Sequence, residues 1–298
     1  MKLGYVGLGK MGTNMCERLL ERKHQVVAYD PNPSAITALM AKGAGGANDL
    51  KELVGQLASP RTIWLMVPAI QVDNVLTDLY PLLSTGDVII DGGNSQYKES
   101  ARRSKELGEK GIKFLDAGVS GGPNGARNGA CLMIGGDETT FKSLEPLFRD
   151  VAAEHAYAYF GQSGAGHFVK MVHNGIEYGM MQSIAEGFAL MRKSPFSLDL
   201  MAIAELYNHR SVVESRLVGW LADTYRTYGQ DLKDISGTVG HTGEGAWTIE
   251  AANDLGSPVP SIELAFNFRK ESAEKPSYIG QILSGLRNAF GGHEAKKS

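Results

Sequence analysis

The 298-residue sequence lacks the features that mark several specialised protein classes. Its two cysteines, Cys16 and Cys131, are too few to form a metal cluster by themselves, and the chain opens without a secretory signal. No apolar run approaches the roughly 18 residues that a membrane span needs. The formal charge is −3 and no lysine–arginine block exceeds three residues, so we expect no surface for nucleic acid or an anionic membrane. These absences predict a cytoplasmic protein whose partner is a small molecule.

Motifs for metal and hydrolase chemistry are missing as well. The seven histidines have no ligand spacing, and no pair sits with a carboxylate in an H-x-x-x-H arrangement, so no catalytic metal is predicted. Ser120 lacks the strand-to-helix elbow of a hydrolase nucleophile. The composition, 43% apolar and 21% charged, is instead that of an ordinary globular protein with room for two domains.

The N-terminal stretch contains a dinucleotide-binding fingerprint. A predicted strand, residues 2–6, is followed by Gly7-Leu8-Gly9-Lys10-Met11-Gly12 and then by a helical pattern. The first glycine permits a tight turn, the second lets backbone approach a pyrophosphate, and the third lets the helix pack closely. A second strand, residues 25–29, leads to Asp30, whose carboxylate would accept hydrogen bonds from the adenosine ribose and repel a 2′-phosphate. No arginine follows within residues 31–34 to offset that repulsion, so NAD is predicted in preference to NADP.

Strands and helices go on alternating to about residue 160, which predicts an α/β, Rossmann-like doubly wound sheet. The later strands are predicted at residues 62–67, 87–91, 113–117, 132–135 and 157–160. Ligands in such sheets lie at the carboxyl ends of strands, where this chain has Val67-Pro68, Asn94 and Ser120-Gly121-Gly122. The serine-glycine-glycine turn offers a hydroxyl and backbone N–H groups to an anion such as a carboxylate. A plain tight turn is the alternative.

From residue 164 onward the pattern is helical. We therefore predict a dinucleotide-binding domain over residues 1–163 and an all-α substrate and oligomerisation domain over residues 164–298. The helix that opens the second domain is rich in apolar residues, so we expect it to be buried on most sides. One face of it carries five polar side chains, Lys170, His173, Asn174, Glu177 and Tyr178. A buried amine and carboxyl are costly unless paired or catalytic, which favours a site over the alternative, a solvated polar stripe.

Further helices are predicted at residues 198–207, 211–228, 246–255, from 260 onward, and 278–286. Beyond the last of them the sequence predicts a tail that contains Arg287 and His293 and is too short to anchor itself. Simple fraying of the terminus is the alternative to a role in binding.

Five motifs together resemble decarboxylating 6-phosphogluconate dehydrogenase in its short form, and the resemblance extends from end to end of the chain. They are the fingerprint at residues 7–12, Asp-Gly-Gly-Asn-Ser at 91–95, Val-Ser-Gly-Gly at 119–122, Lys-Met-Val-His-Asn-Gly-Ile-Glu-Tyr at 170–178 and Phe-Gly-Gly-His at 290–293. The broader β-hydroxyacid dehydrogenases share the serine-glycine-glycine turn and the lysine. They usually carry Asn-Asn in place of His173-Asn174 and lack the Glu177-Tyr178 pair, so the difference favours a sugar acid phosphate.

The resemblance implies roles for individual residues, with Lys170 as general base and Glu177 as general acid. The cofactor-binding residues predicted from the fingerprint, the strand ends and the resemblance are Gly7, Leu8, Gly9, Lys10, Met11, Gly12, Asp30, Val67, Pro68 and Asn94. The implied substrate-binding residues are Asn94, Ser120, Gly121, Gly122, His173, Asn174, Tyr178, Arg269, Arg287 and His293. Tyr178, Arg269 and Arg287 would hold the phosphate. The resemblance implies a homodimer or dimer of dimers in which the C-terminal tails are exchanged, so that Arg287 comes from the neighbouring subunit. Longer relatives have a phosphate-binding lysine where this chain has Thr242.

The implied reaction is the oxidative decarboxylation of 6-phosphogluconate to ribulose 5-phosphate and carbon dioxide, with reduction of NAD. A neutral lysine would take the proton of the C3 hydroxyl. After decarboxylation, an acid two helical turns away, roughly 10 Å along the axis, would protonate C1 of the resulting enediol. Two alternatives remain open. One is a β-hydroxyacid dehydrogenase acting on a small unphosphorylated 3-hydroxy acid, and the other is a catalytically idle NAD-binding regulator.

Overall fold

The computed structural model describes residues 1–295, which form two compact units. Unit 1 comprises Met1–Lys170, and unit 2 begins at Met171. The division lies inside one continuous helix, Ala165–Arg192, whereas the sequence placed the domain boundary just before that helix, at residue 163.

Unit 1 is built on an eight-stranded sheet in the order β3-β2-β1-β4-β5-β6-β7-β8. Its strands are β1 Lys2–Val6, β2 Gln25–Tyr29, β3 Gly45–Gly46, β4 Thr62–Leu65, β5 Val88–Asp91, β6 Lys113–Ser120, β7 Ala130–Gly136 and β8 Ala152–Tyr159. Neighbouring strands pair in parallel except β6 and β7, which are antiparallel. The predicted α/β doubly wound fold is confirmed.

Helices cover the sheet because successive strand residues point to opposite faces. They are α1 Lys10–Glu21, α2 Pro33–Met40, α3 Leu50–Gly55, α4 Ala69–Leu79, α5 Tyr97–Gly108, α6 Gly122–Asn128 and α7 Glu138–Val151, with a 3₁₀ turn at Tyr80–Leu82. Adjacent residues fall in separate apolar cores: Val26 and Ile90 lie in one, Val27 and Ile89 in the other. Both faces of the sheet are therefore buried.

Two elements of unit 1 were not expected from the sequence, β3 and α6, and β6 is longer than predicted. Gly45–Gly46 has no side chains to show a strand pattern, and it is recognised only by its pairing with β2. β6 continues to Ser120 because its end pairs with β7, including Ser120 opposite Cys131. Pairing with another strand depends on residues outside the segment. The end of β6, which contains glycine and serine, therefore shows no strand pattern of its own.

Unit 2 is helical. The helix α8, Ala165–Arg192, enters it and is followed by α9 Leu200–Tyr207, α10 Arg216–Tyr228, α11 Glu244–Asp254, α12 Pro260–Glu271 and α13 Tyr278–Gly291. α10 begins five residues later than its predicted start at 211 because the Ser215 side chain accepts the backbone N–H of Val218 and caps the helix there. Within residues 1–295, no helix is both long and apolar enough to cross a membrane.

The expectation that α8 is buried on most sides is wrong for its unit 2 portion. Ile176 is 53% exposed, Met180 43% and Leu190 73%. Their apolar side chains form part of the surface of the chain. The many apolar residues of the helix are therefore not evidence that it is buried in the core of its own chain.

The prediction of an unanchored tail that starts before Arg287 is also wrong. α13 continues to Gly291, so Arg287 lies inside the helix, and Gly292 ends it in the left-handed conformation (φ 62°). Beyond the helix, the backbone N–H of Ser236 donates to the Ala295 carbonyl at 2.7 Å, and Ala295 is buried in the helical core. The described part of the tail is held by its own unit.

Candidate active site and cofactor site

The glycines of the fingerprint have three different surroundings. Gly7 adopts φ 99°, and a Cβ atom there would stand 2.4 Å from the Met66 carbonyl oxygen. A Cβ on Gly12 would stand 2.0 Å from the Gly7 carbonyl oxygen, so only glycine lets α1 approach the loop. A Cβ on Gly9 would meet no atom within 4 Å. The loop is thus closed on the protein side and open at Gly9, which fits a pyrophosphate lying against the backbone.

Asp30 is tied directly to this loop. Its carboxylate accepts the backbone N–H of Leu8 at 2.7 Å through Oδ2 and that of Asn32 at 2.8 Å through Oδ1. Each carboxylate oxygen can accept a second hydrogen bond, so the group can still receive ribose hydroxyls. The structure brings the predicted ribose-binding residue next to the predicted pyrophosphate loop.

Other predicted cofactor residues adjoin the same loop. Val67 lies beside Gly7, since a Cβ on Gly7 would be 2.9 Å from Val67 Cγ1, and Pro68 is the N-cap residue of α4. Lys10 and Met11 are the first two residues of α1, with Lys10 exposed and Met11 packed against the apolar core. Their roles in cofactor binding remain predictions.

The turn after β5 holds Asn94 at the surface. Asp91 is fully buried and accepts the backbone N–H of Gly93 at 3.0 Å and the hydroxyl of Ser95 at 2.8 Å, with Arg103 Nη1 at 3.4 Å. This network leaves Asn94 exposed at the tip of the turn. Asp91 therefore shapes the turn that carries Asn94, whose role in binding remains a prediction.

The Ser120-Gly121-Gly122 segment is the turn from β6 into α6. Gly121 and Gly122 have φ of 118° and 61°, in the left-handed region that favours glycine. A Cβ on Gly121 would also stand 3.0 Å from Gly125 Cα. The tight-turn interpretation accounts for both glycines, and binding of a substrate carboxylate by the same turn stays a prediction.

Lys170 is positioned by packing within unit 1. It is only 9% exposed, and a Cβ on Gly118 would stand 2.4 Å from Lys170 Cβ. Gly118 belongs to the carboxyl-terminal half of β6, so the absence of a side chain there lets α8 lie directly on the strand. The amine is consequently carried by a helix that is fixed to the sheet.

Asp116, which sequence reasoning missed, fixes the beginning of that helix. Its fully buried carboxylate accepts the N–H of Gly164 at 2.7 Å and that of His167 at 2.8 Å, which are donors of the first turn of α8. The His167 ring in turn contacts the Ser100 hydroxyl at 2.6 Å. The available signal was an aspartate that follows two apolar residues inside a predicted strand.

In unit 2, α8 carries His173, Asn174 and Glu177 on one surface. His173 Nδ1 lies 3.0 Å from Asn174 Oδ1 and 3.9 Å from Glu177 Oε2. The side chains of His173 and Glu177 are 36% and 21% exposed, so both can be reached by a ligand. The structure confirms that these polar residues are neighbours, although it does not test their roles.

The residues predicted to bind phosphate form a cluster in unit 2. Arg269 is 3% exposed, and its Cζ lies 3.4 Å from the centre of the Tyr178 ring. Arg287 lies close enough for its charge to act on both of them. A Cβ on Gly240 would stand 2.9 Å from Arg287 Nη1, which places the glycine-rich bend 240–245 against the same guanidinium. All these side chains come from one chain.

Burial changes the acid–base properties of this cluster. It lowers the pKa of Arg269 to about 10 and lowers the pKa of Arg287, and in each case the charge of Glu177 acts in the opposite direction. Burial also raises the pKa of Tyr178, whose phenol oxygen accepts the backbone N–H of Thr242. Both arginines are still protonated near neutral pH, so the cluster is a cationic site beside a neutral phenol.

His293 lies just beyond α13. Its ring is edge-on to Phe290, with the ring centres 6.3 Å apart, and its carbonyl oxygen accepts Asn288 Nδ2 at 2.7 Å. The proposed contact of its ring with substrate remains a prediction.

Family sequence models match both units. The model of the NAD-binding domain of 6-phosphogluconate dehydrogenase matches residues 2–161, and that of the C-terminal domain of 6-phosphogluconate dehydrogenase matches residues 166–294. The chain belongs to the 6-phosphogluconate dehydrogenase family. The predicted resemblance is confirmed, and with it the prediction that the chain is an NAD-binding oxidoreductase.

Two relatives within the family match over nearly their whole length. The chain is 48% identical to the Bacillus subtilis protein YqeC, covering 100% of both sequences. It is 39% identical to the NAD(+)-dependent, decarboxylating 6-phosphogluconate dehydrogenase of Haloferax volcanii, covering 100% of this chain and 99% of that one. The structure resembles the Plasmodium falciparum 6-phosphogluconate dehydrogenase with a TM-score of 0.83 and 27% identity, covering 96% of this chain and 70% of that one.

Proposed function

We propose that this chain oxidises 6-phosphogluconate at C3 with NAD and releases carbon dioxide and ribulose 5-phosphate. The observation that carries the proposal is the sequence of groups along α8. A buried lysine is followed two turns later by a reachable glutamate, and the next residue, Tyr178, begins a cluster with two arginines. An amine base, a carboxylic acid and a cationic site are what a phosphorylated hydroxy acid requires.

The proposal assigns the first proton transfer to Lys170. An alcohol is too weak an acid to lose its proton unaided, so the neutral Nζ takes the proton of the C3 hydroxyl as the C3 hydride leaves. Burial favours the neutral amine, and Lys170 is 9% exposed. The resulting ammonium then stabilises the negative charge on the C3 oxygen when C1 leaves as carbon dioxide.

Glu177 supplies the second proton. Decarboxylation leaves an enediol. Its C1, which was C2 of 6-phosphogluconate, must be protonated to give the ketose. Glu177 follows Lys170 by roughly 10 Å along the helix axis, which allows the two groups to address different atoms of one sugar. Its neighbours His173 and Asn174 offer hydrogen-bonding groups to the hydroxyls between those atoms.

The fingerprint loop and Asp30 would hold NAD. The open face at Gly9 fits its pyrophosphate, and the carboxylate already joined to Leu8 fits its adenosine ribose. When bound, NAD accepts the hydride from C3. The negative charge of Asp30 disfavours a 2′-phosphate, and the NAD(+)-dependent Haloferax volcanii relative agrees with a preference for NAD over NADP.

We also propose that the enzyme is a homo-oligomer joined through unit 2, whose apolar surface includes Ile176, Met180 and Leu190. In this proposal Arg287 serves the site of its own subunit. The tail exchange that the sequence suggested depended on Arg287 lying outside its unit, and it lies instead inside α13 and beside Gly240.

The direct test is to offer 6-phosphogluconate with NAD and, separately, with NADP, while following absorbance of the reduced cofactor and release of carbon dioxide. We expect both signals to rise together, in equal amounts, and faster with NAD. Gluconate and 3-hydroxyisobutyrate serve as matched unphosphorylated substrates. Faster turnover of either one would identify a β-hydroxyacid dehydrogenase, and no turnover of any substrate would identify a binding protein.

A further inference from the structure

A buried carboxylate, Glu244, lies in the cluster of Tyr178, Arg269 and Arg287. Glu244 is the first residue of α11 and is 3% exposed. Its Oε2 accepts the hydroxyl of Thr242 at 2.6 Å. The reaction proposed above gives this carboxylate no role, and a buried charge is costly unless opposite charges compensate it.

The compensating charges are the two arginines. Burial lowers the pKa of Arg269 and of Arg287, and the negative charge of Glu244 opposes that shift in both. The geometry agrees, because Gly245, the next residue, lies against the Tyr178 ring over which Arg269 stacks, and Gly240 of the same bend lies against Arg287. Arg269 is itself held against the Tyr178 ring, and its Nη2 donates to the thioether sulfur of Met181 at 3.5 Å.

A phosphate ester would seek the same partners as this carboxylate. Both are oxygen anions that guanidinium groups bind through charged hydrogen bonds. A dianion that arrives beside Glu244 meets a like charge in a poorly solvated site, where electrostatic interactions are screened less than in water. The two anions are therefore in competition for one pair of cations.

We propose that Glu244 is an internal counter-ion that competes with the substrate phosphate for Arg269 and Arg287. This inference rests on the proposed function and deepens it, because competition from Glu244 then limits how strongly the enzyme prefers phosphorylated over unphosphorylated sugar acids. Thr242 has a part in the same arrangement, since its hydroxyl holds the carboxylate in place.

The test is Glu244→Gln in the full-length protein, compared with Glu250→Gln. Glu250 is exposed on the same helix, so its substitution removes an equal charge away from the cluster. Binding of inorganic phosphate is measured by calorimetry without cofactor or turnover. We expect the Kd for phosphate to fall about tenfold in Glu244→Gln and to change less than about twofold in Glu250→Gln.

A second measurement compares kcat/KM for 6-phosphogluconate with that for gluconate, the same acid without its phosphate. The ratio should rise about tenfold in Glu244→Gln and stay constant in Glu250→Gln. Glu244→Asp, which keeps the charge but shortens the side chain, should fall between wild type and Glu244→Gln, and it carries the test if the glutamine variant does not fold.

An unchanged or weaker affinity for phosphate in Glu244→Gln would overturn the inference and make Glu244 a residue that orients the arginines. Failure of the proposed reaction has a different signature. In that case the wild type does not oxidise 6-phosphogluconate, whereas the phosphate titration still reports on Glu244.

Discussion

The two units differ in how much of their apolar side-chain surface they bury. Among residues 1–295, four large apolar side chains of unit 1 are exposed, and nine of unit 2. The former are Met1, Met40, Ile70 and Phe160, and the latter are Ile176, Met180, Leu190, Phe196, Leu206, Val212, Val213, Leu255 and Leu264. A sheet covered on both faces encloses its own core, whereas this set of helices leaves apolar surface that another protein surface can cover.

The units differ also in the use of buried charge. In unit 1 the buried carboxylates of Asp91 and Asp116 bind backbone N–H groups and fix a turn and a helix start. In unit 2 the buried Arg269 and Glu244 lie near enough for their charges to interact, and Glu244 acts on Arg287 as well. The first arrangement fixes the backbone, whereas the second is the one that we propose binds the substrate phosphate.

The largest expected effect comes from removing the amine that unit 1 positions. Lys170→Met keeps the apolar stem that packs on Gly118 and should lower kcat by about 10³-fold or more, because the base is lost. The Kd for NAD, measured by fluorescence titration, should stay within about twofold of wild type. Lys193→Ala, an exposed lysine next to the end of α8, is the control. Turnover near wild type in Lys170→Met would remove Lys170 from catalysis.

The second largest effect is expected at Arg287, and it shows whether the cluster of Tyr178, Arg269 and Arg287 serves the subunit that contains it. Arg287→Ala should reduce kcat/KM for 6-phosphogluconate on the order of 10²- to 10³-fold, since it leaves a charged group of the ligand without its partner. Lys170→Met and Arg287→Ala chains, carrying different tags, are then unfolded and refolded together. If both residues serve the same subunit, every site in a mixed dimer keeps one defect and activity does not recover.

Recovery is the contrary outcome. If Arg287 reached the partner's site, each mixed dimer would contain one intact site. Random pairing makes half of the dimers mixed, so activity would return to about a quarter of the wild-type value per subunit. The tags confirm that hybrids have formed.

A smaller loss is expected when the packing that holds α8 is disturbed. Gly118→Ala places a Cβ 2.4 Å from Lys170 Cβ, so the helix must shift, and a displacement near 1 Å can reduce kcat by about 10²-fold. Gly108→Ala is the matched control, because a Cβ on Gly108 meets no atom within 4 Å. Thermal unfolding should show a lower Tm for Gly118→Ala only. Equal kcat values in the two variants would show that Lys170 does not depend on this contact.

The exposed apolar surface of unit 2 leads to the fourth prediction. Combining Leu190→Asp, Leu206→Asp and Leu264→Asp should weaken self-association at least about 30-fold, as loss of a central interface residue does. The control combines Met40→Asp, Ile70→Asp and Phe160→Asp, which alter exposed residues of unit 1. Light scattering should show a monomer for the first variant and the wild-type mass for the second. The same mass for both would place the interface elsewhere.

The sequence predicted best what depends on neighbouring residues. The fingerprint glycines, Asp30 and the polar face of α8 follow from short spacings, and the structure places them as those spacings require. Asp116 was missed because its partners, Gly164 and His167, are 48 and 51 residues away. Pairing over that distance follows from tertiary structure and leaves no local pattern.

Two features of unit 2 were not predicted correctly from the sequence. The last helix was predicted to end at 286, yet α13 continues to Gly291, and Phe290 in its last turn packs against the helical core. The burial of Glu244 in the bend 240–245 was not foreseen either. An acidic residue between glycines is typical of an exposed loop, and only its packing shows otherwise.

The smallest effect is expected for cofactor choice in unit 1. Asp30→Asn should lower kcat/KM with NAD about tenfold, because a neutral amide accepts ribose hydroxyls less strongly than a carboxylate. The carbonyl oxygen of the asparagine can still accept the Leu8 N–H, so the loop should keep its shape. The kcat/KM with NADP should rise or remain unchanged, since the repelling charge is gone. The ratio of kcat/KM with NAD to kcat/KM with NADP should therefore fall. Asp78→Asn, at an exposed position of α4, controls for the change in net charge. A wild-type enzyme that uses NADP as well as NAD, or an Asp30→Asn variant with an unchanged ratio, would show that this carboxylate does not select the cofactor.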